Sequence, residues 1–279
     1  MPVCFFVSDI HGNEERYEKL FNLITEEKPH AVFLGGDLLP HPFSSKNFVK
    51  DYLTSHFNFI KEKLGANYPR IFIILGNDDA RSEESNVKAA AERGVWEYIH
   101  FRKVEYKGYK IFGYCFTPPS PFLLKDWEKY DVSRYTEAGC ISPEEGKRTV
   151  KILEHEKKYS TIKKDLEQLV DNEDVSKAIF LFHGPPYQTN LDRAALDGKI
   201  LDHIQVDVNV GSVAIRKFIE EKQPLITLHG HIHESAQITG SWKDKIGNTF
   251  CFSAAHNGKE LAVVKFDACK PENAQRFLL

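Results

Sequence analysis

Several apolar runs in this chain stop at a residue able to bind a cation. Run 3–8 (VCFFVS) leads into Asp9-Ile10-His11-Gly12, and 30–34 (HAVFL) into Gly35-Gly36-Asp37. Run 70–75 (RIFIIL) leads into Gly76-Asn77-Asp78-Asp79, 177–182 (KAIFLF) into His183, and 224–228 (PLITL) into His229-Gly230-His231-Ile232-His233. Continuous apolar runs of this length read as strands of a sheet covered on both faces. Helical patterns separate the first three: Tyr17, Leu20, Phe21 and Ile24, then Phe48, Tyr52, Leu53, Phe57, Ile60 and Leu64. The alternation predicts a mostly parallel α/β sheet. In such sheets ligands bind beyond the carboxyl ends of the strands, so these distant residues are expected to converge.

Further along, 104–106 and 110–114 flank Lys107-Gly108-Tyr109 as a hairpin does. Residues 117–145, rich in Pro, Ser and charge, read as an excursion or a flap. A charged helix is expected over about 147–171, with a break near Tyr159-Ser160, and its Lys/Glu-rich face reads as solvated surface. Residues 184–208 read as loop, 213–222 as an amphipathic helix. The stretches 236–241, 248–254 and 260–266 are expected to be antiparallel strands. No repeat or linker divides the sequence, so one domain over 1–279 is expected.

Composition narrows the class of function. With 37 basic and 40 acidic residues the formal charge is −3, which gives no field suited to a nucleic-acid backbone. Nucleic acid as a substrate stays open without being indicated. The first residues lack a basic leader, no run nears the ~20 apolar residues of a membrane helix, and the five scattered cysteines suggest thiols in a reducing compartment. A cytoplasmic protein without membrane contact is the expectation.

Each strand-end residue alone has a plain structural role: Asp9 or Asp37 could cap a helix, Asn77 could hold a turn. Their joint occurrence is harder to attribute to capping. Histidines, carboxylates and an amide oxygen form a mixed O/N donor set suited to Mn, Fe, Zn, Co or Ni, without the thiolates of a structural zinc site. Asp9, His11, Asp37, Asn77, His183, His231 and His233 exceed what one ion can use; two ions sharing a carboxylate would use them all, as in two-metal hydrolysis of phosphate esters.

In these motifs the chain resembles the calcineurin-like metallophosphoesterases. Their series D-x-H, G-D, G-N-x-[D/E], H and G-H-x-H is matched in order by Asp9-Ile10-His11, Gly36-Asp37, Gly76-Asn77-Asp78-Asp79, His183 and Gly230-His231-Ile232-His233. Within the family, the short motifs look most like a prokaryotic branch related to cyclic-nucleotide phosphodiesterases. The resemblance implies a four-layer αββα sandwich, with the C-terminal strands forming much of the second sheet. It implies two divalent metal ions: Asp9, His11 and His233 on one, Asn77, His183 and His231 on the other, and Asp37 bridging. His229 is expected on the strand, outside the ligand set. The implied reaction is hydrolysis of a small phosphoester such as a nucleotide, most simply a phosphodiester, by attack of water that the metals activate. A non-catalytic scaffold of the same fold and a nuclease are the alternatives.

Most members of the family carry histidine where this chain has Asp78, and that histidine contacts phosphate and protonates the leaving oxygen. A carboxylate beside two cations should have a lowered pKa and donate protons poorly. Three expectations follow: substrates with good leaving groups, a substitute histidine such as His41 or His256, or Asp78 acting to orient a metal ligand or water. Ser212 reads as the N-cap of helix 213–222, where free N–H groups could meet a substrate phosphate or simply start a helix. Substrate selection is expected to reside in loops 40–47, 117–145 and 184–210.

Overall fold

A computed structural model describes residues 3–41, 47–201 and 203–279. The chain opens with strand β1 (Val3–Val7), helix α1 (Glu14–Glu27) and strand β2 (Ala31–Gly35), followed by helix α2 (Thr54–Leu64), strand β3 (Arg70–Ile74), helix α3 (Glu84–Glu92) and the short strand β4 (Glu97–Tyr98). Helix α1 starts because the Asn13 side chain accepts from Arg16 N, and it ends at Lys28 in a left-handed conformation. It buries Tyr17, Leu20, Phe21 and Ile24, an i, i+3, i+4, i+7 stripe; each such side chain contributes about 1.5–3 kcal/mol. Phe21 meets Phe57 of α2 edge-on at 5.1 Å, which fastens the two helices together.

The middle of the chain supplies strands β5 (Arg102–Tyr106) and β6 (Tyr109–Tyr114), short helices α4 (Glu154–Tyr159) and α5 (Ile162–Val170), and strand β7 (Ala178–Phe182). The expected hairpin is β5–β6, with Tyr106 opposite Tyr109 and both turn residues, Lys107 and Gly108, at positive φ. The helix expected over about 147–171 begins only at Glu154, and it is broken at Ser160 and Thr161, beside the break expected at Tyr159-Ser160. Ser160 and Thr161 are extended, Thr161 caps α5, and Lys147 and Thr149 are drawn aside by Leu124 and Asp126. Region 117–145 is an excursion tied back at Thr117–Glu128, Leu124–Lys147 and Tyr130–Thr161, and it buries a Lys125–Glu128 ion pair.

The last part adds a small hairpin, β8 (Ile200–Leu201) and β9 (Ile204–Gln205), helix α6 (Val213–Lys222), strand β10 (Ile226–His229), helix α7 (Ser235–Thr239) and strands β11 (Lys243–Ile246), β12 (Thr249–Ser253), β13 (Ala262–Asp267) and β14 (Gln275–Leu278). Thus 184–208 is not all loop, and the strand expected at 236–241 is a helical turn. Side-chain bonds of Ser235 to Ile232 O and of Thr239 to Ser235 O bend that segment, and Gly240 ends it in a left-handed conformation.

Two six-stranded sheets result, ordered β14-β13-β1-β2-β3-β4 and β11-β12-β10-β7-β6-β5. Strands β1 to β4 run parallel, as do β6, β7, β10 and β12, with antiparallel strands at the margins. The sheets face each other where β2 meets β7 and β3 meets β6. Gly113 of β6 lies so close to β3 that a Cβ there would stand 2.8 Å from Ile74 and 2.6 Å from Ile99. Helices α1 and α2 cover one sheet, while α6 covers the other by setting Phe218 on Phe180 and Phe182. This is the αββα sandwich, with a correction. Of the C-terminal strands, only β11 and β12 join the second sheet; β13 and β14 extend the first, β13 alongside β1. No disulfide forms among the described residues, and no helix among them is long and apolar enough to cross a membrane.

Candidate metal centre

The strand ends that carry the expected donors meet at one edge of the sandwich, the first sheet giving the ends of β1, β2 and β3 and the second those of β7 and β10. The chain turns sharply there: Asp9, His11, Asp37 and His231 all have positive φ, between 52° and 75°. A non-glycine residue holds that conformation only where its surroundings overdetermine it. Backbone bonds from Asp9 N to Gly36 O and from His11 N to Asp37 O lock the first two loops together. The Asp9 carboxylate accepts from His231 N and from Ser8 Oγ, joining the sheets across the top.

One ligand atom each from Asp9, His11 and His233 lies within 4.8 Å of the others, and the same holds for Asp37, His183 and His231. His11 Nε2 is 3.2 Å from His233 Nε2, which is 3.3 Å from Asp9 Oδ1. In the second group His183 Nε2 lies 3.0 Å from Asn77 Oδ1 and 3.2 Å from Asp37 Oδ2. Asp37 Oδ2 is also 4.0 Å from His11 Nε2, so it faces both groups. Donor atoms ~2.1 Å from one ion and ~90–110° apart are separated by ~3.0–3.4 Å, the spacing of the His11–His233, His233–Asp9, His183–Asn77 and His183–Asp37 pairs.

The electrostatics of the site favour positive charge between its histidines and carboxylates. His183 Nδ1 donates to Gly35 O at 2.9 Å, so in a neutral ring Nε2 carries a lone pair pointed at two oxygens. Such an arrangement is repulsive unless a proton or a metal stands between. Burial works to lower the His183 pKa, yet Asp37, Asp9 and the bond to Gly35 O together outweigh it and raise it to about 10. Burial likewise opposes the charge on Asp9 and Asp37, but His233 and His183 hold these carboxyls below their usual range. His231 is pushed down to about 3 by burial and by His183, leaving it an unprotonated donor. Gly76 admits His183: a Cβ there would stand 2.7 Å from the ring and 2.3 Å from Asp37 Oδ1. His229 is outside the group, since Nδ1 is held by Gly184 O and Nε2 by Thr227 Oγ1.

Asp78 stands at the rim, its side chain 43% exposed and Oδ2 3.8 Å from His11 Nδ1. Its backbone N donates to Asp37 Oδ1, and its Oδ1 accepts from Asn77 Nδ2, which turns the Asn77 oxygen toward His183. Burial and Asp37 push the Asp78 pKa up, whereas divalent cations act in the opposite sense. Of the substitute histidines, His256 pairs with Glu260 at 3.0 Å, and His41 is exposed beside residues 42–46, so loop 40–47 lies partly outside the described residues.

Ser212 is a correction. It caps α6 by accepting from Ile215 N, but the helix N-terminus is already filled: Asp131 accepts from Ser212 Oγ, Val213 N and Ala214 N at 2.5, 2.7 and 3.3 Å. An anion does bind there, and it is part of the chain. Two positioning residues escaped the sequence reading. Asp79, fully buried, accepts from Leu38 N, Leu39 N and Gly76 N, clipping the Asp37 loop to the Asn77 loop. Arg16 Nη1 donates to Asp9 O at 2.8 Å, and the same guanidinium holds Gly258 and Lys259. The doubled acid of Asn-Asp-Asp was a signal for Asp79; nothing local marks Arg16.

Comparison with known proteins follows the same lines. A search of curated proteins finds no match. Among solved structures, one aligns at TM-score 0.62 and 13% identity over 99% of this chain and 98% of its own. The protein TT1561 of Thermus thermophilus aligns at TM-score 0.60 and 17% identity over the same shares. These are likenesses of fold. A novel archaeal phosphodiesterase aligns over 99% of both chains at 11% identity, with a TM-score of 0.42 that is too low to carry an inference. The family model described as calcineurin-like phosphoesterase matches residues 4–235, a span that holds every candidate donor. The chain therefore belongs to the calcineurin-like phosphoesterase family.

Proposed function

We propose that this protein is a two-metal hydrolase of phosphodiesters, with Asp9, His11 and His233 holding one ion, Asn77, His183 and His231 the other, and Asp37 shared. The observation that supports it is the pair of donor groups at coordination spacing with Asp37 Oδ2 facing both. Divalent ions, when bound, supply Lewis-acid polarisation of the phosphoryl group and lower the pKa of an attacking water. Mn, Fe, Zn, Ni and Co all suit the donor set.

The chain's own residues set what the centre accepts. Asp78 orients the Asn77 amide so that its oxygen, rather than its nitrogen, faces His183. Its carboxylate also places negative charge at the rim, where a histidine would place none or the opposite. One extra substrate charge about 5 Å from that carboxylate costs on the order of 1–3 kcal/mol, or roughly 5- to 150-fold. A monoester dianion bears that cost and a diester monoanion does not, which favours the diester.

The test is turnover of bis-p-nitrophenyl phosphate against p-nitrophenyl phosphate with metal-reconstituted wild type, Asp37→Asn and Asp78→His. Metal-dependent cleavage of the diester, lost in Asp37→Asn, is expected, with the diester-to-monoester ratio falling at least fivefold in Asp78→His. Protein that holds two ions and cleaves only the monoester would overturn the diester reading; protein that holds none would overturn the two-metal reading.

A further inference from the structure

Asp78 touches the candidate metal centre at three points. Its backbone N donates at 2.8 Å to Oδ1 of Asp37, the carboxylate that faces both groups, and its own Oδ1 accepts at 3.1 Å from Asn77 Nδ2. Its remaining oxygen, Oδ2, lies 3.8 Å from Nδ1 of His11, a donor of the first group. His11, Asp37 and Asp78 thereby form a third cluster, with ligand atoms within 4.8 Å of one another.

The two nitrogens of His11 decide what that cluster does. Nε2 faces the first group, 3.2 Å from His233 Nε2 and 4.0 Å from Asp37 Oδ2. A neutral imidazole that gives its Nε2 lone pair to a cation carries its proton on Nδ1, so Nδ1 is then a donor and not a second ligand. Ligand histidines give that proton to a carbonyl, a carboxylate or water, which fixes the tautomer and the ring orientation and makes the ligating nitrogen more basic. For His183 the acceptor is Gly35 O at 2.9 Å. For His11 the group in that place is Asp78 Oδ2. The 3.8 Å gap is longer than a hydrogen bond, but the two side chains are 30% and 43% exposed, which leaves them room to close it directly or through one water.

We propose that Asp78 is the positioning residue of His11: its carboxylate takes the Nδ1 proton and so holds Nε2 toward the first ion. The inference rests on the two-metal reading and deepens it. Through Asn77 and Asp37 the same residue reaches the second group, so one rim carboxylate ties donors of both groups to the shared one.

The test is calorimetric titration of zinc into metal-stripped protein. Wild type that takes up fewer than two ions would overturn the two-metal reading and this inference with it. In protein that holds two, Asp78→Ala is expected to weaken one binding step about 10- to 100-fold. Lost charge and the lost Asn77 contact act in a His11→Ala background as well, so the same substitution there is expected to cost roughly fivefold less or better. Equal weakening in both backgrounds would overturn the proposal. The second readout is nitrogen-15 NMR of zinc-loaded protein with labelled histidine, the His11 signals being those absent from His11→Ala. A proton on Nδ1 is expected, exchanging with water faster in Asp78→Ala. An Nδ1 bound to zinc would overturn the proposal in favour of an ion held by His11 and Asp78 together, and so would an exchange rate unchanged in Asp78→Ala.

Discussion

Replacing Ser212 by alanine separates a structural cap from a substrate contact. The hydroxyl makes two bonds: it accepts from Ile215 N at 3.0 Å and donates to Asp131 Oδ1 at 2.5 Å. Loss of an N-cap acceptor costs about 1 kcal/mol. Loss of a hydrogen bond to a buried carboxylate costs about 1.5–3 kcal/mol. The sum, about 2.5–4 kcal/mol, corresponds at ~2–4 °C per kcal/mol to a fall in Tm of roughly 5–16 °C. Thermal unfolding gives the fall, and steady-state kinetics on the diester should show KM within twofold of wild type. Because Asp131 and Ser212 share one bond, Asp131→Ala should cost less in the Ser212→Ala background than alone. A raised KM with an unchanged Tm would refute the assignment and restore Ser212 as a phosphate contact.

Two other perturbations test the scaffold. Asp79→Ala leaves Leu38, Leu39 and Gly76 N–H groups without their acceptor, so metal affinity measured by calorimetry should fall roughly 10- to 100-fold; wild-type affinity would show that the loops hold their spacing unaided. Buried His100 and His229 have pKa values lowered from 6.5 to about 3 and about 4, in each case first by burial. Their contribution to stability is therefore full above pH 6.5 and is lost as pH falls toward those folded values, by about 1.4 kcal/mol per pH unit for each ring. Denaturant titrations from pH 7 to 4.5 should show that slope, reduced by one proton in His100→Gln; an identical slope in that variant would remove His100 from the account.

The strand-end donors were legible because each follows an apolar run directly, and a parallel sheet gathers such ends at one edge. Asp78 was legible as a departure from the family pattern, and in the structure it accepts from Asn77 Nδ2. Partners far apart in sequence were not. Asp131 reaches Ser212 across 81 positions, and no periodicity announces that a carboxylate from an excursion will cap a distant helix. Strand β13 could be recognised as a strand, but local pattern does not say which of two sheets it joins; its register with β1, Cys4 opposite Phe266, decides. Asp79 and Asp78 are adjacent and identical in type, so only the direction of the turn tells which one goes inward.

The close approach of β6 to β3 has a bearing on evolution and engineering. Because each candidate donor group draws on both sheets, the thickness of the core acts as a ruler for the donor spacing above it. At Gly113 there is no room for even a methyl group against Ile74, the last residue of β3, which leads into the turn that carries Asn77. A substitution there pries the sheets apart at the foot of the site, and its effect on catalysis would be transmitted without any altered residue touching metal or substrate. Variation at the core of such a protein is therefore also variation in its chemistry.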